Sequence, residues 1–260
     1  MISHGGRTAY IDESHFEDPR YGYFYTMTAA VIDHTHKPSY DFMMNELRAI
    51  ARRQPDREIH AYVMARNSQG QTDLDQATQI IADCDAVRGL VTVRSYVSEV
   101  RTQTQARQVC LTELVTRIQQ SGAVDLIKLD SLDRLGRSLH SSHPRRNSKN
   151  ELDMDTLRDL QKIGELDPST KLFHANSRAT SQLWIPDVVG YVTGRSIARR
   201  DPRYMRYIAS KVELYEALTL PANMRTSEKR SLEPSGITGA LSQHLAQASM
   251  FIMSEVDDAK

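Results

Sequence analysis

Asp12 and Glu13 close the β-like run TAYID, Asp130 closes the apolar run VDLIKLD, and Asp187 follows the proline of LWIPDVVGYVTG. Each has an ordinary explanation. Acids are common where strands turn, and a carboxylate in the first turn of a helix is favoured by the helix dipole. The other reading is chemical. Open α/β sheets bind ligands at the carboxyl ends of their strands, where Asp130 stands. Asp187 lies among Leu183, Trp184, Ile185, Val188 and Val189, where a charge is costly unless it meets a cation. Together the three acids match the composition of two-metal phosphoryl-transfer sites. There, a few carboxylates, phosphate oxygens and waters surround each ion, and the ion pair stabilises both attacking water and leaving oxygen. Strand alternation separates the two neighbours. Asp12 shares a face with Thr8 and Tyr10, and Glu13 shares one with Ala9 and Ile11, so both reach one ion only if the strand bends. Asp133 could substitute for Asp130, and Asp125 sits at the wrong end of its strand.

The elements that must position these acids follow from periodicity. Thr8–Asp12 and the aromatic, β-branched run Tyr23–Ile32 read as a hairpin around Asp18-Pro19 and Gly22. Phe42, Met43, Leu47 and Ile50 recur at helical spacing after Ser39. Glu58–Met64 reads as a strand, 66–72 as a polar loop, Leu74–Val87 as a helix and Leu90–Val97 as a strand. A helix is expected over Thr104–Gln120, a core strand over Val124–Asp130, a helix over Asp153–Ile163 and a short strand over Lys171–His174. The connection from Ser131 to Asn150 is too long for a tight turn. Pro186 is expected to open a helix to Arg199, and the chain then reads as helical over Tyr204–Leu218 and Ile237–Val256. Strands alternating with helices after a hairpin predict a mixed α/β sheet with helices on its faces. No Gly-rich loop follows a strand, which disfavours dinucleotide and P-loop folds.

The bulk numbers exclude some classes. Acidic and basic residues balance at 33 each over 260 residues, so a polyanion-binding surface must come from local clustering. Cys84 and Cys110 form no disulfide framework or metal-type spacing, which points to a reducing cytoplasm. No apolar run is long enough to span a bilayer, and MISHGGRTAY has no apolar signal-peptide core. The expectation is a soluble cytoplasmic protein.

YIDES at residues 10–14, followed by an aromatic second strand, resembles the opening of the domain-of-unknown-function 3800 family. LWIPDVVGYVTG at 183–194 resembles that family's closing signature. LDSLDR, with Asn150 and Asp153 or Asp155 downstream, looks like its central acidic strand end. The likeness runs from about Thr8 to Arg200. It implies a ribonuclease H-like fold, that of retroviral integrases, transposases and Holliday-junction resolvases, and a nuclease dependent on Mg²⁺ or Mn²⁺. By position, Asp12 would be the first-strand ligand, Asp130 the central-strand ligand and Asp187 the ligand from the last helix. Glu13 also matches the opening motif and joins them as a catalytic candidate. Two departures stand out: His15 replaces the glycine usual after the opening motif, and Pro186 an alanine.

Two basic clusters flank the acids. Arg134, Arg137, His140, His143, Arg145, Arg146 and Lys149 follow Asp130, and Arg195, Arg199, Arg200, Arg203 and Arg206 follow Asp187. As a phosphate-backbone track beside a nuclease site, Arg134, Arg137, Arg145, Arg146, Arg195 and Arg199 would hold DNA or RNA without reading its sequence. Solvated surface charge explains each cluster alone equally well. His60 reads as a packed or surface histidine, or as a group that orients water or touches substrate. Trp184 reads as core. The expectation is a ribonuclease H-like domain over 1–200 and a helical extension over 201–260, packed on that domain or forming a homodimer contact. The leading function is a two-metal nuclease. The alternative is a non-catalytic ribonuclease H-like module that binds nucleic acid or a protein partner.

Overall fold

The computed structural model describes residues 6–20, 22–97, 102–122, 124–131 and 149–217, all within the unit Met1–Thr219. The basic residues Arg134, Arg137, Arg145 and Arg146, the fallback acid Asp133 and the late helix 237–256 lie outside the described residues.

The hairpin is the spine of a six-stranded sheet. Strands β1 (Arg7–Asp18) and β2 (Gly22–Asp33) pair antiparallel along their whole lengths, with Asp12 opposite Thr28. β3 (Val87–Tyr96) pairs antiparallel on the far side of β2. On the other side of β1, β4 (Leu126–Asp130) and β5 (Lys171–Ala175) run parallel to it. β6 (Val212–Glu216) closes the opposite edge, giving the order β5-β4-β1-β2-β3-β6. The mixed central sheet flanked by helices expected from the alternating pattern is therefore formed.

Helices α1 (Lys37–Ala51), α3 (Ser68–Asp83) and α6 (Trp184–Arg199) share one core with Tyr10, Ala30 and Ile32 of the sheet. Those strand residues lie at even positions, so they share a face with Asp12. The opposite face takes α4 (Gln103–Ser121), which packs on β2 and β3, and α5 (Lys149–Lys162) beside it. Met43, Met44, Leu47 and Ile50 bury the inner stripe of α1, whereas Phe42 is 65% exposed and does not belong to it. Trp184 is buried, as a core residue should be.

Four local expectations give way. β1 does not end at its paired acids but continues to Asp18, because β2 pairs with every residue of it. Glu58–Met64 is no strand: after extended Glu58–His60 the chain coils into α2 (Ala61–Met64). The loop over 66–72 is mostly the first turn of α3, which Asn67 caps by accepting the Gly70 N–H at 2.8 Å. Nor is 201–217 a helical extension. It holds the short helix α7 (Met205–Ile208) and then β6, where pairing to β3 overrides the helix-forming Glu213, Leu214 and Glu216. No helix among the described residues is long and apolar enough to cross a membrane.

The α2–α3 junction depends on Gly70. A Cβ there would stand 2.1 Å from the Met64 carbonyl oxygen. Backbone cannot yield as a side-chain tip can, so Gly70→Ala is expected to lose about 1–3 kcal/mol of stability. The urea midpoint of the variant checks this; an unchanged midpoint would show that the junction is looser than its geometry.

Candidate metal and phosphodiester site

The parallel register of β1 and β4 sets Ile11 beside Leu129. The next residues, Asp12 and Asp130, thus stand side by side on strands about 4.8 Å apart, with side chains on the same face. β4 stops there, so Asp130 does end its strand, and the N–H groups of Ser131 and Ser177 hydrogen-bond its carboxylate. Asp12 accepts the Glu13 N–H at 2.7 Å.

Asp187 arrives from above. α6 lies close on β1 because its contact positions lack side chains. A Cβ on Gly190 would come within 3.0 Å of Thr28 Oγ1 and 3.3 Å of Ser14 Oγ, and one on Gly194 would enter the Phe16 ring. Asp187, one turn before Gly190, therefore faces the sheet over Asp12. α6 begins at Trp184 after a 3₁₀ turn, so Pro186 sits inside the first turn rather than opening it. It is tolerated because N–H groups there have no intrahelical partner. The Asp187 carboxylate accepts the Ala61 N–H from the start of α2 at 3.0 Å.

Electrostatics binds the three acids into one site. Burial pushes the Asp12 carboxyl well above its ordinary range, the charges of Asp187 and Asp130 push it further, and Arg107 pulls it back. Burial also raises Asp187, to about 6, with Asp130 adding to it and the Ala61 N–H and His60 opposing it. Asp130 is raised by burial and by Glu58, against its two backbone donors and Arg107.

Glu58 was not among the sequence candidates. It is only 5% exposed, accepts from Arg178 Nε at 2.6 Å and Ser177 Oγ at 3.3 Å, and adds a fourth negative charge beside Asp130. The signal for it was a lone acid opening the otherwise apolar EIHAYVM. His60 stands in the same corner, with Nε2 at 3.3 Å from Asp56 and 3.6 Å from Glu58.

Glu13 goes elsewhere, as alternation requires. On the α4 face it meets the guanidinium of Arg107 and the hydroxyl of Tyr25. Arg107, itself buried, makes a two-pronged bond to Asp153, Nε–Oδ1 at 2.8 Å and Nη2–Oδ2 at 2.7 Å. His174 lies 3.3 Å from the same carboxylate. Burial would raise Asp153, but the Arg107 fork and His174 override it and hold it low. From this layer the Arg107 guanidinium acts on both Asp12 and Asp130, pulling each carboxyl down.

Four oxygen-donor side chains, three of them raised or crowded by one another's charge, have the chemistry of a hard divalent cation site such as Mg²⁺ or Mn²⁺. Among the described residues, no three His, Cys, Asp or Glu side chains are arranged to hold a metal ion as they stand. The ion pair with Arg178 turns Glu58 toward a cation already present. Holding an ion here would require these carboxylates to move closer together.

Beside Asp187 a cleft of about 990 Å³ runs along the outer half of β1, lined by Phe16, Tyr62, Tyr191, Arg66 and Arg199 and by the acids Glu17 and Asp201 among others. Arg195 also lines it but is paired with Asp201 at 2.8 Å and Tyr191 Oη at 3.0 Å. Arg199 is exposed there without a carboxylate partner among the described residues. Of the expected phosphate track, only these two arginines fall within the described chain.

The raised acids give the metal-free protein a pH signature. A carboxyl whose folded pKa exceeds its unfolded value binds more protons when folded, so stability falls as pH rises through that interval. For Asp187 the interval runs from about 4 to about 6. Thermal midpoints in chelator are expected to drop across it, and added Mg²⁺ to restore them most at the upper end. A flat or rising profile in chelator would mean that the acids are neither buried nor crowded as this arrangement has them.

No family model matches the chain, and no curated protein matches it. Among solved structures it is similar to the ribonuclease H2 from Pyrococcus horikoshii OT3, with 13% identity, 96% of this chain and 99% of that chain covered, and a TM-score of 0.44. It is similar also to a chain of the PCNA:RNase HII complex from Archaeoglobus fulgidus, with 10% identity, coverage of 89% and 98%, and a TM-score of 0.40.

Proposed function

We propose that the chain is a divalent-metal-dependent nuclease on a ribonuclease H-like fold, hydrolysing phosphodiester bonds at the cluster of Asp12, Asp130 and Asp187. The observation that carries this is the convergence of three distant acids on one face of the sheet, each with its carboxyl pushed up. Burying three acids together with no cation to relieve them would cost stability for no return.

In this reading Asp12, Asp130 and Asp187 supply the ligand oxygens, and Glu58 joins them on leaving Arg178. Bound divalent ions would supply charge to the attacking water and the leaving oxygen. Arg107, fixed by Asp153 and Glu13, favours the ionised state of Asp12 and Asp130, the state that can bind a cation. The Ala61 N–H orients Asp187. Glu13, by its partners, has a supporting role rather than a ligand's. Cleft arginines would take the nucleic-acid backbone. The motifs YIDES and LWIPD support placing the chain in the domain-of-unknown-function 3800 family as part of the same proposal.

A second reading, a non-catalytic module for nucleic acid or a protein partner, is favoured by one fact: among the described residues, the acids as they stand are not arranged to hold a metal ion. Cleavage assays on single-stranded, duplex and hybrid substrates with Mg²⁺ or Mn²⁺ separate the two. The nuclease reading expects cleavage that chelator abolishes. Binding without metal-dependent cleavage on any substrate would favour the second.

A further inference from the structure

Tyr62 presents a large aromatic side chain to the cleft. In α2, Ala61 and Met64 are buried and Val63 is 44% exposed, whereas Tyr62 is 62% exposed and lines the cleft beside Asp187. The ring is nonetheless held. Arg66 stacks over it with Cζ 4.3 Å from the centroid, and Tyr191 meets it edge-on at 6.5 Å and 65°. The ring's own backbone and its edge-on support are both tied to the acids. Ala61, the residue before Tyr62, donates its N–H to Asp187, and Tyr191 lies one helical turn beyond Asp187 on α6. Arg66 and Arg199 are exposed at the cleft without a carboxylate partner among the described residues.

We infer that Tyr62, backed by Arg66, is a stacking platform for an unpaired nucleobase, which makes single-stranded nucleic acid the ligand of this cleft. A fixed, exposed aromatic ring offers its π-face to any base, and cations beside it grip the flanking phosphates. A base inside a duplex has both faces covered by its neighbours and cannot use the platform. A strand lying here places one nucleotide on Tyr62 and an adjoining phosphate toward Asp187. Placement of the phosphate rests on the nuclease reading; the stacking does not.

Binding is measured in chelator, so that no cleavage enters, by fluorescence anisotropy of labelled oligothymidine and of a duplex of matched length. Tyr62→Ala is expected to weaken single-strand binding about tenfold, the loss of one stacked base, and to leave duplex binding unchanged. Tyr62→Phe should restore it, because stacking needs the ring and not the hydroxyl. Arg66→Ala should lower the slope of log affinity against log salt by about 0.7. Tyr62 is exposed, so a melting curve for each variant will show the fold intact. The inference is overturned if oligothymidine does not bind, if Tyr62→Ala binds it as tightly as the parent, or if the variant loses duplex affinity equally. Better competition by an acidic peptide than by oligothymidine overturns it too. Failure here with metal-dependent cleavage intact leaves the nuclease standing, and Tyr62-dependent binding without cleavage leaves the platform standing alone.

Discussion

Asp12→Asn is expected to lower metal-dependent cleavage about a thousandfold and, in chelator, to raise the melting temperature. The two effects have one origin. Asparagine keeps the shape and the bond from the Glu13 N–H but removes the central charge of the cluster, next to Asp130 and under Asp187. Loss of a ligand forfeits the several kcal/mol of transition-state stabilisation that a bound ion gives, about three powers of ten in rate. Loss of a partly buried charge repelled by two others relieves the metal-free fold. Mg²⁺ should accordingly raise the melting temperature of the parent by binding the folded state, and do so much less for the variant. Cleavage undiminished by the substitution would sink the assignment of the site, whatever the fold.

Arg107→Met is expected to cost about 3–5 kcal/mol of folding stability, the largest loss from any single substitution discussed. Removing one partner of a buried ion pair leaves an uncompensated charge, and here it leaves two, Asp153 and Glu13. Methionine fills most of the space, so the loss reads charge rather than a cavity. Lysine should recover little, because an ammonium cannot make the two parallel bonds that Arg107 makes to Asp153. Urea unfolding of both variants measures this. A loss below about 1 kcal/mol, the size of an exposed pair, would mean that water reaches the network.

Much of this arrangement was legible in the sequence because it depends on period. The hairpin, α1, α4 and the core strand β4 follow from apolar spacing, and the separation of Asp12 from Glu13 follows from alternation alone. What was missed depends on partners far along the chain. Glu58 reads locally as one charge at the start of a strand. Its burial beside Asp130 arises only when Arg178 and Ser177 close over it, some 120 residues later. The paired acids at 12 and 13 read as a strand exit, and the strand runs on because β2 matches it residue for residue. β6 carries helix-forming residues, and no local signal says that β3 has an open edge waiting for it. The partners of Glu13 were invisible for the same reason, since Arg107 and Asp153 come from α4 and α5.

The unequal lengths of β1 and β4 have a consequence for how the site can be approached. From Thr8 to Ile11, β1 is paired on both sides; from Asp12 to Asp18 only β2 pairs with it among the described strands. Asp12 thus stands immediately after the last position at which the main chain is clamped from both sides. Its carboxylate inherits the stillness of the sheet's middle, while the chain just beyond it offers the open flank of a sheet's border. Precision and access, which usually compete for the same residues, are here divided between consecutive positions of one strand.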